Sequence, residues 1–210
     1  SQVLIYPTNA NLVVGSTGNI YIQDSQVELG LVATPYIETG ATTAQAGILE
    51  DTPRLDYSGG ATCPSLLLEP SRTNAITYSE YFGAWTPVRT SVISNDALSP
   101  EGLINASKLL AEATSSNHQI DSQYYPIVSG SVVGSVYAKK GNIDFIRLRF
   151  DNTTSNIRGW FDLENGVVGA VDAGGVGTIE SVGNGWYRCT LIESGNTSAG
   201  SSRLQLFLNE

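Results

Sequence analysis

The pattern that decides the fold lies in residues 158–168, Arg158-Gly159-Trp160-Phe161-Asp162-Leu163-Glu164-Asn165-Gly166-Val167-Val168. Phe161 and Leu163 share one face of the predicted strand, and Trp160 and Asp162 lie on the other face. This period of two is typical of a strand with one buried face. The dipeptide Asn165-Gly166 accepts the positive φ angles that a type I′ turn needs. We therefore predict a β-hairpin that turns at Asn165-Gly166.

The same period of two recurs along most of the chain. It predicts strands at residues 20–22, 132–139, 144–151, 158–163, 179–182, 186–192 and 204–208. Turn-forming pairs such as Gly174-Gly175 and Asn184-Gly185 separate several of them. Strands at this spacing, with no convincing long helix, predict an all-β, two-sheet antiparallel sandwich or jelly roll. One stretch disagrees, because residues 106–113 have good helix propensity.

The composition limits the class of partner. The chain has 210 residues, of which 15% are charged, and its formal net charge is −9. Nucleic-acid affinity depends on clustered Lys and Arg, and anionic membrane surfaces repel an acidic chain. No stretch approaches the roughly 20 apolar residues of a membrane span. We therefore expect neither a nucleic-acid partner nor membrane insertion.

Catalytic and cofactor sites have little support in the sequence. His118 is the only histidine, and neither a nucleophile-elbow motif nor a zinc signature accompanies it. Cys63 and Cys189 are either two buried thiols or a disulfide, and the sequence leaves both open. We expect no catalytic residue, no cofactor and no metal site. A two-carboxylate glycosidase stays open in principle, since the chain has 20 Asp and Glu residues.

A candidate binding surface follows from the strand faces. In three predicted strands, arginine and tryptophan lie on the face that does not carry the apolar residues. These six residues are Arg147, Arg149, Arg158, Trp160, Trp186 and Arg188. If these strands share a sheet, the six form one solvent-facing surface. Sugars suit such a surface, because aromatic rings stack on sugar C–H faces and guanidinium groups bind hydroxyl or acidic groups. A packing role for Trp186 and a solvated face of arginines are the alternatives.

Two clusters of residues resemble a known family. The first begins at Leu66-Leu67-Leu68-Glu69-Pro70-Ser71-Arg72-Thr73-Asn74 and continues through Tyr78-Ser79-Glu80-Tyr81-Phe82 to Trp85. The second is Gly183-Asn184-Gly185-Trp186-Tyr187-Arg188-Cys189, preceded by Ser135-Val136-Tyr137-Ala138-Lys139-Lys140-Gly141. Over residues 53–210 the chain resembles the carbohydrate-binding-module-like jelly-roll domain of tail and appendage proteins of tailed phages.

The resemblance implies a two-sheet jelly roll on the exterior of a virion. The implied partners are other copies of the chain and other virion proteins, with cell-surface polysaccharide as a further candidate. It implies a strand at residues 106–112, and we follow it there over the helix propensity. No particular ligand is implied, because phage members of this group are diverse.

The resemblance also predicts how the chain is divided. Residues 18–30 resemble the closing strand of such a domain but here precede it. We therefore divide the chain into an N-terminal β segment at 1–40, an irregular connector at 41–71 and a jelly roll at 72–210. We expect a slice of tandem repeats in which residues 19–28 complete the sandwich of the same chain or of a neighbouring copy.

The expected function is a non-enzymatic structural module of a bacteriophage exterior, in a fibre, tail appendage or capsid decoration, with host-surface glycans as candidate ligands. A purely structural spacer without a ligand is the main alternative, and a glycan-degrading appendage enzyme is the other.

Overall fold

The computed structural model describes residues 18–29, 35–46, 55–56, 65–66, 72–127, 130–152, 156–196 and 200–209. Apart from a short 3₁₀ helix at Phe82–Ala84, the regular elements within these ranges are strands. They are β1 Asn19–Leu29, β2 Ala44–Ala46, β3 Leu55–Asp56, β4 Ser65–Leu66, β5 Arg72–Asn74, β6 Thr86–Val88, β7 Thr90–Leu98, β8 Ile104–Ala111, β9 His118–Asp121, β10 Tyr125–Ile127, β11 Gly130–Lys140, β12 Phe145–Asn152, β13 Arg158–Asp162, β14 Val167–Val171, β15 Gly175–Gly183, β16 Trp186–Asn196 and β17 Gly200–Asn209.

Two antiparallel sheets contain most of these strands. In the described residues, a six-stranded sheet has the order β15-β16-β11-β1-β8-β7. A seven-stranded sheet has the order β14-β13-β12-β17-β9-β6, and β10 also pairs with β17. The predicted all-β, two-sheet antiparallel sandwich is confirmed. No helix in the described ranges is long and apolar enough to cross a membrane.

The core lies between the two sheets, and it consists of the apolar residues that occupy alternate positions of the strands. The fully buried apolar side chains of β12 are Ile146, Leu148 and Phe150, and β17 contributes Leu204 and Leu206. Burial of each such side chain stabilises the fold by about 1.5–3 kcal/mol relative to exposure. The intervening residues of the same strands point to the outer face of the seven-stranded sheet, because successive side chains of a strand alternate.

Strand β1 completes the sandwich from the N-terminal side of the sequence. It lies between β11 and β8 of the same chain, with Ile22 opposite Ala138 and Ile20 opposite Leu109. Both isoleucines are fully buried. The prediction that residues 19–28 complete the sandwich is therefore confirmed. This strand belongs to the same sandwich as the strands after residue 72.

A bulge divides β1 into two halves with different neighbours. Asp24 has a φ angle of 49°, and the pairing with β11 shifts between Gln23 and Gln26. Before the bulge, β1 pairs with β8. Beyond it, the Val27 carbonyl accepts a hydrogen bond from the Ala75 amide at 2.9 Å. Both edges of β1 are therefore hydrogen-bonded, which removes the exposed edge that an incomplete sandwich would have.

The strand at residues 106–112 is confirmed, against its local helix propensity. The structure places β8 at Ile104–Ala111, with Leu109 and Ala111 facing the core. Pairing with β1 on one side and β7 on the other determines the conformation here. Tertiary context overrides propensity in such cases, because propensity differences per residue are only about 0.7 kcal/mol or less.

The hairpin at residues 158–171 is confirmed, but its predicted turn type is wrong. Asp162 pairs with Val167, so four residues form the loop instead of two. Only Gly166 has a positive φ angle, of 66°. The Asp162 carboxylate explains the difference, since its Oδ1 accepts hydrogen bonds from the amides of Glu164 and Asn165 at 2.9 Å each. These bonds stabilise the longer loop.

The conformation expected of a type I′ turn occurs at Asn184-Gly185. The φ angles are 54° and 77°, and Gly183 pairs with Trp186 across the two-residue turn. A Cβ atom on Gly185 would meet only Lys139 at ordinary contact distance, 3.5 Å. Backbone conformation alone therefore favours glycine at this position.

We expect Gly185→Ala to lower the free energy of unfolding by about 1 kcal/mol, because an L-residue is disfavoured at this φ angle. Chemical denaturation measures the change. Gly40→Ala is the matched control, since Gly40 is exposed and a Cβ atom there would have no other atom within 4 Å. An equal loss in both variants would contradict the conformational explanation.

Candidate functional site

The six predicted surface residues lie on two different sheets. Arg147 and Arg149 are on β12, and Arg158 and Trp160 are on β13, within the seven-stranded sheet. Trp186 and Arg188 are on β16, which pairs with β11 and β15 in the other sheet. The prediction of one shared surface is therefore wrong for β16, because alternation along a strand gives its faces but not its neighbours.

Trp186 is a packing residue. Its side chain is enclosed, with the residue 1% exposed, and its Nε1 donates a hydrogen bond to the Leu98 carbonyl at 3.1 Å. Leu98 ends β7, which β11, β1 and β8 separate from β16 in the same sheet. The end of β7 therefore reaches across this sheet to cover the indole. The prediction that Trp186 faces solvent is wrong.

Arg188 lies on the outer face of the six-stranded sheet, away from the other predicted arginines. Its Nη2 donates to the Ser135 hydroxyl at 3.4 Å, and its guanidinium carbon is 5.9 Å from the centre of the Tyr137 ring. These contacts fix Arg188 to the neighbouring strand β11. It therefore does not contribute to a surface with Trp160.

The remaining four residues form one surface, which we call the arginine–tryptophan patch: Arg147, Arg149, Arg158 and Trp160. Arg147 is directly opposite Trp160, and Arg149 is directly opposite Arg158, in the β12–β13 ladder. These four side chains therefore share one sheet face, as predicted, but Arg147 is buried, so the predicted exposure to solvent is wrong for Arg147. All four point away from the core, because Ile146 and Leu148 occupy the alternate positions of β12.

Arg147 is the centre of the patch. Its guanidinium carbon is 3.7 Å from the centre of the Phe207 ring and 5.5 Å from that of Trp160. The residue is 7% exposed, and its Nε is buried without a hydrogen-bond partner. Burial, with the nearby charges of Arg158 and Arg149, lowers the pKa of Arg147 to about 10. The guanidinium is therefore held between aromatic rings in a partly desolvated position.

The two flanking arginines differ from Arg147 because each has an acidic partner. Arg158 binds both carboxylate oxygens of Asp172, at 2.7 and 3.3 Å. Arg149 forms an ion pair with Asp151 at 3.1 Å. Within the described residues, the Arg147 guanidinium has no acidic side chain at ion-pair distance. Arg147 is therefore the arginine of the patch that has no counter-charge at ion-pair distance among the described residues.

A second cluster, of carboxylates, was not predicted from the sequence. Asp24 is 3% exposed, and burial followed by the charges of Glu80 and Glu101 raises its pKa to about 7. Next to it, Gln23 is fully buried, and neither atom of its amide has a hydrogen-bond partner of normal geometry. The polar run Gln23-Asp24-Ser25-Gln26 interrupts the period of two, which was the available indication of an irregular site.

Groups suited to metal binding or thiol chemistry are limited in the described part of the chain. No three His, Cys, Asp or Glu side chains there are placed to hold a metal ion. Cys189 is a free, fully buried thiol whose pKa burial raises, and Cys63 lies outside the described residues. His118 is fully buried, with its Nε2 3.2 Å from the Thr114 hydroxyl. Among the described residues, the arginine–tryptophan patch is therefore the strongest candidate site.

No family model matches the sequence, and no curated protein matches it.

Proposed function

We propose that this chain is a non-enzymatic module of the exterior of a bacteriophage particle, and that it binds carbohydrate through the arginine–tryptophan patch. The observation that carries the binding proposal is the position of Trp160, half-buried on an outer sheet face with two guanidinium groups beside its ring. The virion location is supported by the motifs at residues 66–85 and 183–189, which resemble those of phage appendage domains.

The patch has the chemistry that carbohydrate recognition needs. An exposed part of an indole ring offers an apolar surface to sugar C–H groups, and guanidinium N–H groups offer planar donors to hydroxyl oxygens. The strands that hold these side chains are hydrogen-bonded on both edges, since β12 pairs with β13 and β17, and β13 with β14. Rigid placement lowers the entropy cost of binding.

A purely structural repeat without a ligand is the second candidate. The ion pairs Arg158–Asp172 and Arg149–Asp151 favour it, because a solvated sheet face also contains such pairs. In both candidates the partners are other copies of the chain and other virion proteins, which symmetric appendage assemblies bring into contact. Binding to polysaccharide separates the two candidates.

We expect Trp160→Ala to weaken polysaccharide binding at least tenfold, which corresponds to about 1.4 kcal/mol. The free energy of unfolding should fall by only about 1 kcal/mol, because Trp160 is on an outer face. A glycan array followed by affinity electrophoresis in neutral and acidic bacterial surface polysaccharides measures binding.

Tyr81→Ala is the control for loss of an aromatic surface residue, since Tyr81 is 58% exposed and lies outside the patch. It should bind as the unmodified chain does. If the unmodified chain binds no polysaccharide, the structural repeat becomes the better description. If Trp160→Ala binds as tightly as Tyr81→Ala, the carbohydrate site lies outside the patch.

A further inference from the structure

We infer that the ligand of the arginine–tryptophan patch is an acidic saccharide, and that Arg147 binds its carboxylate group. This inference rests on the proposed carbohydrate-binding function and specifies the class of sugar. Uronic acids and nonulosonic acids, which carry a carboxylate on the sugar ring, are the ligands of this class.

The first argument is the missing acidic partner of Arg147. A charged group taken out of water is costly unless a counter-charge or hydrogen bonds accompany it. The chain has 20 Asp and Glu residues against 11 Lys and Arg, and it supplies Asp172 to Arg158 and Asp151 to Arg149. The described residues place no carboxylate at ion-pair distance from Arg147, the most buried arginine of the three. A ligand carboxylate would provide the counter-charge.

The second argument is the orientation of the Arg147 guanidinium. A guanidinium carbon only 3.7 Å from the Phe207 ring centre means that a face of the group covers the ring. Stacking through a face leaves the in-plane N–H bonds of the two Nη atoms available to an acceptor, whereas the Nε–H is buried. A carboxylate is also planar and accepts two parallel N–H bonds from arginine. The stacked geometry therefore suits a carboxylate in particular.

The third argument is the electrostatic environment of Arg147. The three arginines of the patch and their two partners, Asp151 and Asp172, leave a local net charge of +1 in a chain whose net charge is −9. Phe207 and Trp160 exclude water from one side of Arg147, and a lower local dielectric strengthens an ion pair. A neutral sugar would gain little from this arrangement, whereas an acidic one would gain both attraction and hydrogen bonds.

The test compares polymers that differ only in the carboxylate. The probes are polygalacturonate and polysialic acid, each paired with its carboxyl-reduced, neutral derivative, and isothermal titration measures binding to the full chain. We expect at least one acidic polymer to bind about 10- to 100-fold more tightly than its reduced derivative, as loss of a charged hydrogen-bonded pair implies. The same polymer should raise the melting temperature of the unmodified chain, and the reduced polymer should not.

Two variants assign the preference to Arg147. Arg147→Met should bind the acidic and reduced polymers equally, while Arg147→Lys keeps the charge without the planar donors and should retain only part of the preference. Arg203→Lys is the matched control, because Arg203 lies on the same sheet and already has Asp121 and Asp151 as partners. It should keep the full preference.

The outcomes separate this inference from the proposed function. If the unmodified chain binds an acidic polymer and its reduced derivative equally, carbohydrate binding stands and the carboxylate assignment is overturned. If no polymer binds or changes the melting temperature, both are overturned. If Arg147→Met keeps the preference, the assignment to Arg147 is wrong. If dextran sulfate binds as tightly as the carboxylate polymers, the assignment to a carboxylate is wrong.

Discussion

Trp186→Ala should lower the free energy of unfolding by about 3–5 kcal/mol, the range for removal of a large buried aromatic side chain. The residue is among the largest fully buried ones, and its Nε1 hydrogen bond to the Leu98 carbonyl holds the end of β7 over the sheet. The alanine variant would lose that bond and leave a cavity beneath the end of β7. Urea denaturation measures the change.

Two comparisons make the Trp186 result specific. Trp186→Phe keeps most of the volume but not the Nε1 donor, so it should cost less than the alanine variant. Polysaccharide binding by folded Trp186→Phe should equal that of the unmodified chain, since Trp186 is not on the arginine–tryptophan patch. Unchanged stability together with lost binding would mean that the indole contacts a ligand, and our assignment of a packing role would be wrong.

The contrast between Trp160 and Trp186 shows what strand periodicity can and cannot predict. In both strands the tryptophan lies opposite the apolar positions, as the alternation of the sequence predicts. Trp160 lies on a sheet face where it is half-buried, whereas the end of β7 covers Trp186. A cover of this kind depends on contacts between residues 88 positions apart, and a local pattern contains no information about them.

The closing strand was predictable for a different reason. The prediction rested on the resemblance of residues 18–30 to the closing strand of a jelly roll, and on the unpaired backbone groups that a sandwich lacking a strand exposes. Those two facts together predict where the segment goes, without any tertiary contact being known. The bulge at Asp24 was not predictable in the same way, since it depends on hydrogen bonds from Ser25 to Ser79 and from Ala75 to Val27.

The arginine–tryptophan patch could be predicted from the sequence only in part. Arg147, Arg149, Arg158 and Trp160 come from two strands joined by a short connection, so their pairing follows from the sequence. The feature that distinguishes Arg147 does not follow, because it depends on the ring of Phe207, which β17 brings opposite Arg147 from a distant part of the chain. Long-range pairing thus decides which arginine of the patch lies against the Phe207 ring.

The carboxylate cluster makes the stability of the chain depend on pH. The folded-state pKa of Asp24 is about 7, against an ordinary value of 3.8, and burial is the main cause. Well below pH 4 the group is protonated in both states and costs nothing. As the pH rises towards 7, the unfolded chain loses this proton and the folded chain keeps it, so stability falls. Above pH 7 the full penalty is present, up to about 4 kcal/mol.

Asp24→Asn should therefore stabilise the chain by about 2–4 kcal/mol at pH 8 and have little effect at pH 4. Asparagine cannot ionise, and it accepts the left-handed φ angle of 49° at this position at least as well as aspartate does. Thermal and urea denaturation of both proteins between pH 4 and pH 8 measure the difference. Glu80 should give the variant a remaining contribution of the same sign, because burial and nearby carboxylates also raise the pKa of Glu80.

Asp96→Asn is the control for removal of a negative charge, since Asp96 forms a surface ion pair with Lys108 at 3.1 Å. A surface pair contributes only about 0–1 kcal/mol, so this variant should be no more stable than the unmodified chain at pH 8. A stabilising effect of Asp24→Asn that is equally large at pH 4 would show that the gain comes from packing or backbone preference. A loss of stability at pH 8 would mean that the Asp24 carboxylate has a partner that compensates its burial, and the assigned pKa shift would then have the wrong sign.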